Sequence, residues 1–198
     1  MIDTDYILDV CFLYMRYNVV FVGSVGAGKT SIIRRYQSKA MKVTSTLAVD
    51  FVPMTLGDFK VSVWDTCGQE RFMSITSSYF ARGHVFVLVH DIADSSVTGD
   101  LKKWYATIND KAAHLHAPVV IIVSNKTDLN PFAPSEVTRW VKEHTFDHIY
   151  TSATSGEGIE NLFSKIRDAI LVHQAEWLTP SLPALPAEPV RRAPGCSC

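Results

Sequence analysis

Hydrophobic positions along the chain follow two alternating patterns. Short runs rich in β-branched and aromatic residues occupy 17–22, 49–56, 59–65, 85–91, 119–124 and 148–151. Three of these runs are continuously apolar, which predicts strands covered on both faces. Gly57-Asp58 separates two of them and predicts a hairpin turn. Helical spacing is read over 28–38, 101–115, 134–144 and 159–177. In the last, Ile159, Leu162, Phe163, Ile166, Ile170 and Leu171 recur every three to four residues. Such alternation predicts an α/β fold with a mainly parallel sheet, whose ligands bind at the carboxyl ends of the strands.

The pattern stops after Trp177. Prolines 180, 183, 186, 189 and 194 punctuate the remainder, which reads as an extended, flexible tail over 178–198. At the other end, residues 1–15 precede the first strand as an N-terminal extension or a mis-assigned start. One domain is expected over 16–177.

Composition narrows the class. Nineteen basic against twenty acidic side chains leave a formal charge of −1, so no global positive field is available for nucleic acid. The longest apolar runs are far shorter than the ~18–20 residues of a membrane span. The acidic start lacks the basic region of a signal peptide. Cys11, Cys67, Cys196 and Cys198 form neither a disulfide framework nor a zinc pattern, which points to a reducing compartment. The seven histidines show no metal-ligand spacing, and His114, His116, His144 and His148 are expected on helix surfaces or in loops. Arg34-Arg35 and Lys102-Lys103 are expected on solvated helix faces.

Candidate chemistry begins where the first strand runs into Gly23-Ser24-Val25-Gly26-Ala27-Gly28-Lys29-Thr30, followed by Ser31 and a helical run. This is G-x-x-x-x-G-K-[ST] in its strand-to-helix context. Its glycines let backbone N–H groups curl around phosphate oxygens, and the helix N-terminus adds positive potential. Lys29 is expected to reach the β- and γ-phosphates and Thr30 to ligate Mg²⁺. About a hundred residues on, the fifth strand ends in Asn125-Lys126-Thr127-Asp128. A carboxylate at Asp128 can accept from both N1–H and N2–H₂ of guanine. Adenine lacks that donor pair and would leave a polar group unpaired. The ligand expected is GTP or GDP.

With these two motifs in place, the chain resembles the Ras superfamily of small GTPases, and within it the Rab family. Asp65-Thr-Cys-Gly-Gln-Glu-Arg-Phe72, Ile75-Thr-Ser-Ser-Tyr-Phe80, Val89-His-Asp-Ile92 and Thr151-Ser-Ala-Thr-Ser-Gly-Glu-Gly158 follow in order at family spacing. Ser45-Thr-Leu-Ala-Val-Asp-Phe51 looks like the corresponding Rab segment. The resemblance implies a P-loop NTPase small G domain with a six-stranded, mostly parallel sheet flanked by helices. It implies that Thr46 binds Mg²⁺ and the γ-phosphate in the GTP state, that Asp65 holds the metal's shell, and that the Gly68 N–H touches the γ-phosphate. Gln69 would orient the attacking water. Ser152 and Ala153 would meet the base through backbone. Phe51, Trp64 and Tyr79 fall at the aromatic positions that Rab effectors read, although Trp64 also fits ordinary core packing and Tyr79 helix packing.

The implied activity is hydrolysis of GTP to GDP, at roughly 10⁻⁴–10⁻³ s⁻¹ unaided and about 10⁵-fold faster with an arginine finger. The implied role is a switch in vesicle and membrane traffic, sited on the cytoplasmic face of intracellular membranes with a cytosolic pool. Its partners would be effectors, an exchange factor, a GTPase-activating protein and a prenyl-binding GDP-dissociation inhibitor. The terminal Cys196-Ser-Cys198 resembles the Rab C-x-C ending, which carries two geranylgeranyl groups, enough for stable anchoring.

Several positions depart from the family pattern. Val25 stands where small residues are usual and is expected to slow hydrolysis. The stretch from Thr30 to Thr46 is two residues short for a Rab, and Thr154 replaces a lysine near the base, so nucleotide affinity or exchange is expected to differ. Cys67 replaces alanine and reads as a tolerated small residue. Two alternatives remain at this point: a hydrolysis-poor, GTP-bound effector platform, and a Ras- or Rho-type signalling GTPase.

Overall fold

The computed structural model describes residues 16–38, 46, 49–68, 79–94, 97–112, 118–129 and 132–178. The expectations for residues 1–15, Gln69, His114, His116, Cys196, Cys198 and the tail beyond Leu178 lie outside these described residues.

Six strands form one sheet: β1 (Arg16–Val22), β2 (Val49–Leu56), β3 (Phe59–Thr66), β4 (Val85–Asp91), β5 (Val119–Asn125) and β6 (Asp147–Thr151). Their spatial order is β2-β3-β1-β4-β5-β6. Only the β2–β3 hairpin, turning at Gly57-Asp58, is antiparallel; the other pairings are parallel. The α/β class and the mostly parallel six-stranded sheet are as read from the sequence. Among the described residues the sheet is flanked by α1 (Lys29–Tyr36), α2 (Val97–Ala112), α3 (Ser135–Glu143) and α4 (Ile159–Leu178).

The continuously apolar strands supply both layers of the core. On β1, Val19 and Phe21 join Ile32, Ile33, Leu162, Phe163, Ile166 and Ile170 beneath α1 and α4. The alternate residues Val20 and Val22 join Leu101, Trp104, Ile108, Val137 and Trp140 beneath α2 and α3. Period-two alternation thus feeds two cores, and no strand position from Val19 to Val22 is free to be polar. Tyr36 stacks on Phe163 at 3.8 Å between ring centres, docking the end of α1 on α4.

Helix α2 begins four residues earlier than the 101–115 pattern predicts. Its first turn, Val97-Thr-Gly-Asp, has no apolar periodicity, and Asp100 instead favours the positive helix N-terminus. The expectation that His148 lies on a surface or in a loop is wrong. It sits half-buried on β6, its ring 4.5 Å from Tyr150 and hydrogen-bonded to Ser124. His144 does close α3, as an exposed C-cap. Lys102 and Lys103 are exposed as read, and Arg35, also exposed, donates to the Ser155 carbonyl at 2.8 Å.

Candidate functional site

Every chemically suggestive residue among those described, apart from the Phe51–Trp64–Tyr79 row, lies at the carboxyl end of the sheet. Strand β1 delivers the chain into the 23–28 loop, and α1 starts at Lys29. Gly28 makes the turn with φ +95°, and a Cβ there would meet Asn125 Nδ2 at 2.2 Å. Glycine is therefore required both by the backbone angle and by the packing of the loop on β5. Ala27 is buried, while Val25 is 61% exposed at the loop crest. The Ser24 hydroxyl donates to Asp100 on α2 at 3.0 Å. Ser31 follows Thr30 in the first turn of α1.

Lys29 is folded over the loop, its Nζ donating to the carbonyls of Gly23 at 2.7 Å and Ser24 at 3.0 Å. Burial lowers its pKa to about 8, against the opposing pull of Asp65. An ammonium held by two carbonyls and poorly hydrated is primed to gain from a phosphate anion.

Next to it, three chain segments converge. The Thr30 hydroxyl donates to Asp65 Oδ2 at 2.5 Å, the Thr46 hydroxyl reaches the same oxygen at 3.3 Å, and the two hydroxyls are 2.9 Å apart. Burial raises the Asp65 pKa, while the Thr30 hydrogen bond and the Lys29 charge oppose it. The other carboxylate oxygen, Oδ1, is buried with no hydrogen-bond partner among the described residues. One carboxylate and two hydroxyls are hard oxygen donors suited to Mg²⁺, which typically completes its shell with water and substrate phosphates. Among the described residues no cluster of three His, Cys, Asp or Glu could hold a metal alone. The donor set fits a metal that arrives with a nucleotide. Gly68 follows β3 so closely against the loop that a Cβ would lie 2.4 Å from Ser24 C and Val25 N. Cys67 is a buried free thiol, 5% exposed.

The base-recognition motif is braced by side chains. Asn125 donates from Nδ2 to the Ala27 carbonyl at 2.8 Å and accepts from Thr151 Oγ1 at 3.0 Å, tying the glycine loop, β5 and β6 together. One hydrogen of its amide nitrogen and its carbonyl oxygen are thus engaged within the protein. The Ser152 hydroxyl donates to Asp128 Oδ1 at 2.5 Å and orients that exposed carboxylate beside buried Ala153. Lys126, at φ +69°, pairs with Asp91 at 2.7 Å. A cleft of about 230 Å³ lies between the glycine loop and the Asp91–Lys126 pair. The pairings of Lys126 with Asp91 and Ser152 with Asp128 are invisible to sequence reading, since partners 35 and 24 residues apart show no periodicity.

One pair from Asp65, towards the same open end of the hairpin, Phe51 and Trp64 are cross-strand neighbours with rings 4.9 Å apart, and Trp64 meets Tyr79 at 4.5 Å. The three form a continuous row, 46% exposed at Phe51 and half-buried at Trp64 and Tyr79. Trp64 also packs against the core beneath α2 and α3.

A strand, glycine loop and helix closing over a buried lysine, opposite a braced N-K-x-D turn, define a P-loop nucleotide-binding domain. The model of the Ras family matches residues 18–172. A protein of Echinococcus multilocularis named "Probable Ras-related protein Rab-4A" is 33% identical over 161 residues, covering 75% of this chain and 70% of its own. A "Probable Rab-related GTPase" of Acanthamoeba polyphaga mimivirus is 28% identical over 164 residues, covering 77% of this chain and 75% of its own. The chain belongs to the Rab family of small GTPases, within the Ras superfamily.

Proposed function

We propose that the chain is a nucleotide-dependent switch in vesicle and membrane traffic, recruiting effectors in its GTP state. The observation that carries this reading is the convergence of Thr30, Thr46 and Asp65. It links the phosphate loop to the segment holding Thr46, so a γ-phosphate can order that segment and its loss can release it. Thr30, Thr46 and Asp65 would hold Mg²⁺, which neutralises phosphate charge when bound. Lys29 and the loop N–H groups contribute the protein's own stabilisation of charge on the phosphates. Asp128, with Ser152 and Ala153, would select guanine. The row at Phe51, Trp64 and Tyr79, exposed at Phe51 and half-buried at the other two, supplies aromatic surface of the kind enriched at binding interfaces.

Hydrolysis is slow in this reading. Val25 presents a branched, 61% exposed side chain on the phosphate loop; by the family resemblance, such bulk there would crowd the water-orienting glutamine and an arginine finger. The same observation favours a second reading, a GTP-bound effector platform with little turnover. Cys196 and Cys198 would carry two geranylgeranyl groups, holding the protein on the cytoplasmic face of an intracellular membrane. A GDP-dissociation inhibitor would maintain the cytosolic pool, and an exchange factor and a GTPase-activating protein would drive the cycle.

Single-turnover hydrolysis of GTP, with and without a Rab-activating protein, tests the chemistry on the wild type and on Val25→Gly. The slow-switch reading expects weak stimulation that Val25→Gly restores by at least tenfold. Full stimulation of the wild type removes it, and no measurable turnover in either leaves the platform. Competition by ATP equal to that by GTP would overturn the guanine assignment. Localisation of the tagged chain beside a Cys196/Cys198→Ser variant tests the membrane role.

A further inference from the structure

Ser124 Oγ lies 2.7 Å from His90 Nε2 on one side and 2.7 Å from His148 Nε2 on the other. The three residues occupy adjacent strands, β4, β5 and β6; His90 and Ser124 stand one residue before the ends of β4 and β5, and His148 lies near the start of β6, opposite Ile122. Ser124 and His90 are 0% and 1% exposed. His90 Nδ1 lies 3.1 Å from the Asp91 carbonyl oxygen.

These contacts admit one proton arrangement. A carbonyl oxygen only accepts, so His90 Nδ1 carries the hydrogen, and a neutral ring then has a bare Nε2. The Ser124 hydroxyl must donate to that nitrogen. With its only proton used, Ser124 can only accept from His148, whose Nε2 therefore carries its hydrogen. Burial keeps both rings neutral: it lowers the pKa of His148 to about 4 and lowers that of His90 as well. Asp91 and Asp94 are the acidic groups acting on His90, and His90 is the titratable group facing His148, each disfavouring protonation of the other. Hydrogen bonds thus run in one direction, from His148 through Ser124 and His90 to the backbone of Asp91. The Asp91 carboxylate then holds Lys126 at 2.7 Å, and the Ile92 N–H donates to the Asn125 carbonyl at 2.9 Å.

We propose that His148, Ser124 and His90 are positioning residues for guanine recognition, a tautomer-locked chain that fixes the short strand β6 to the carboxyl ends of β4 and β5. Strand β6 is a five-residue edge strand paired on one side only, so backbone bonds alone hold it weakly against sliding. The Ser152–Asp128 bond spans the ends of β5 and β6, and a shift of β6 would turn the Asp128 carboxylate away from the base edge. The inference rests on the assignment of guanine to Asp128.

Two measurements test it on the full-length, GDP-bound protein. Nitrogen-15 spectra of labelled histidines at pH 7 should show His90 as the Nδ1–H tautomer and His148 as the Nε2–H tautomer; an Nε2–H tautomer at His90 overturns the chain. Dissociation rates of GDP and IDP give the second readout, because inosine lacks the 2-amino group that Asp128 would bind. In Ser124→Ala and His148→Phe the preference for GDP over IDP should fall at least fivefold, and His148→Gln, which keeps an N–H donor, should return it to within twofold of wild type. A purely structural role would speed release of both nucleotides alike and leave the ratio unchanged, which overturns the proposal. Should the wild type itself not prefer GDP to IDP, the guanine assignment fails instead. If Ser124→Ala does not fold, the tautomers and the His148 pair decide.

Discussion

The indole N–H of Trp64 donates to the Asn18 carboxamide oxygen at 3.0 Å, so the middle ring of the exposed aromatic row is anchored to β1. Phe51 has no comparable tether and is 46% exposed. The row therefore divides into a member that holds the fold and one that is free to serve a partner. Trp64→Ala should lower stability by about 2–3 kcal/mol, less than a fully buried aromatic because one face is open. Trp64→Phe keeps the ring but strands the Asn18 acceptor, at a cost of about 1 kcal/mol. Phe51→Ala should stay within about 0.5 kcal/mol of wild type. Urea unfolding of the GDP-bound protein measures all three, and a large loss in Phe51→Ala would reverse the division.

Two glycine substitutions should have opposite signs. At Gly68 an added Cβ would lie 2.4 Å from Ser24 C and Val25 N, and these are backbone atoms of the phosphate loop that cannot swing aside. Gly68→Ala is expected to displace the loop and speed GDP release at least tenfold, read from a fluorescent GDP analogue. Gly99, inside α2, is open: a Cβ added there would meet nothing within 4 Å. Gly99→Ala should raise stability by about 0.5–1 kcal/mol, through helix propensity and reduced freedom of the unfolded chain. Release from Gly99→Ala should match wild type.

Much of this was legible because the fold depends on local periods. The apolar runs at 17–22, 85–91 and 119–124 lie within strands covered on both faces, and the amphipathic pattern from Ile159 is α4. The phosphate loop was legible because its chemistry needs consecutive residues. Helix α2's first turn was not, since Val97-Thr-Gly-Asp carries no stripe and is positioned by tertiary contacts such as Ser24–Asp100. The His90–Ser124–His148 chain was least visible of all. Each residue replaces one apolar side chain in a strand, and only the register His90↔Ser124 and Ile122↔His148 brings them together. A polar residue in a run that should be wholly apolar was the available signal.

Asp65 should be the residue through which Mg²⁺ controls nucleotide residence. Its Oδ2 collects Thr30 and Thr46, and its buried Oδ1 has no partner among the described residues. Removing free Mg²⁺ with a chelator should speed GDP release from the wild type at least tenfold. Asp65→Asn should release at the fast rate whether or not the chelator is present, because a neutral amide is a poor ligand for a hard cation. Continued chelator sensitivity in Asp65→Asn would place the metal elsewhere.

Acid sensitivity of the fold should come from histidines that are kept neutral, with His84 the clearest case. The Asn18 N–H donates to His84 Nδ1 at 2.9 Å, while the ring packs 5.7 Å from Tyr17 and 5.0 Å from Trp177. Protonation at Nδ1 would turn that acceptor into a donor facing another donor. Burial lowers the His84 pKa to about 4, against roughly 6.5 in an unfolded chain. Above about pH 6.5 both states are neutral and the native contacts count in full. As pH falls from 6.5 towards 4, the unfolded chain binds a proton that the folded one refuses, so stability declines. The slope approaches about 1.4 kcal/mol per pH unit for one such group and is smaller here because the ring is only partly buried. His148, lowered to about 4, adds a loss of the same sign. Urea midpoints at pH 7.5, 6 and 5 should therefore fall steadily. His84→Gln, whose carbonyl can still accept from Asn18, should flatten the decline by about half, and an unchanged slope would assign the acid sensitivity to other groups.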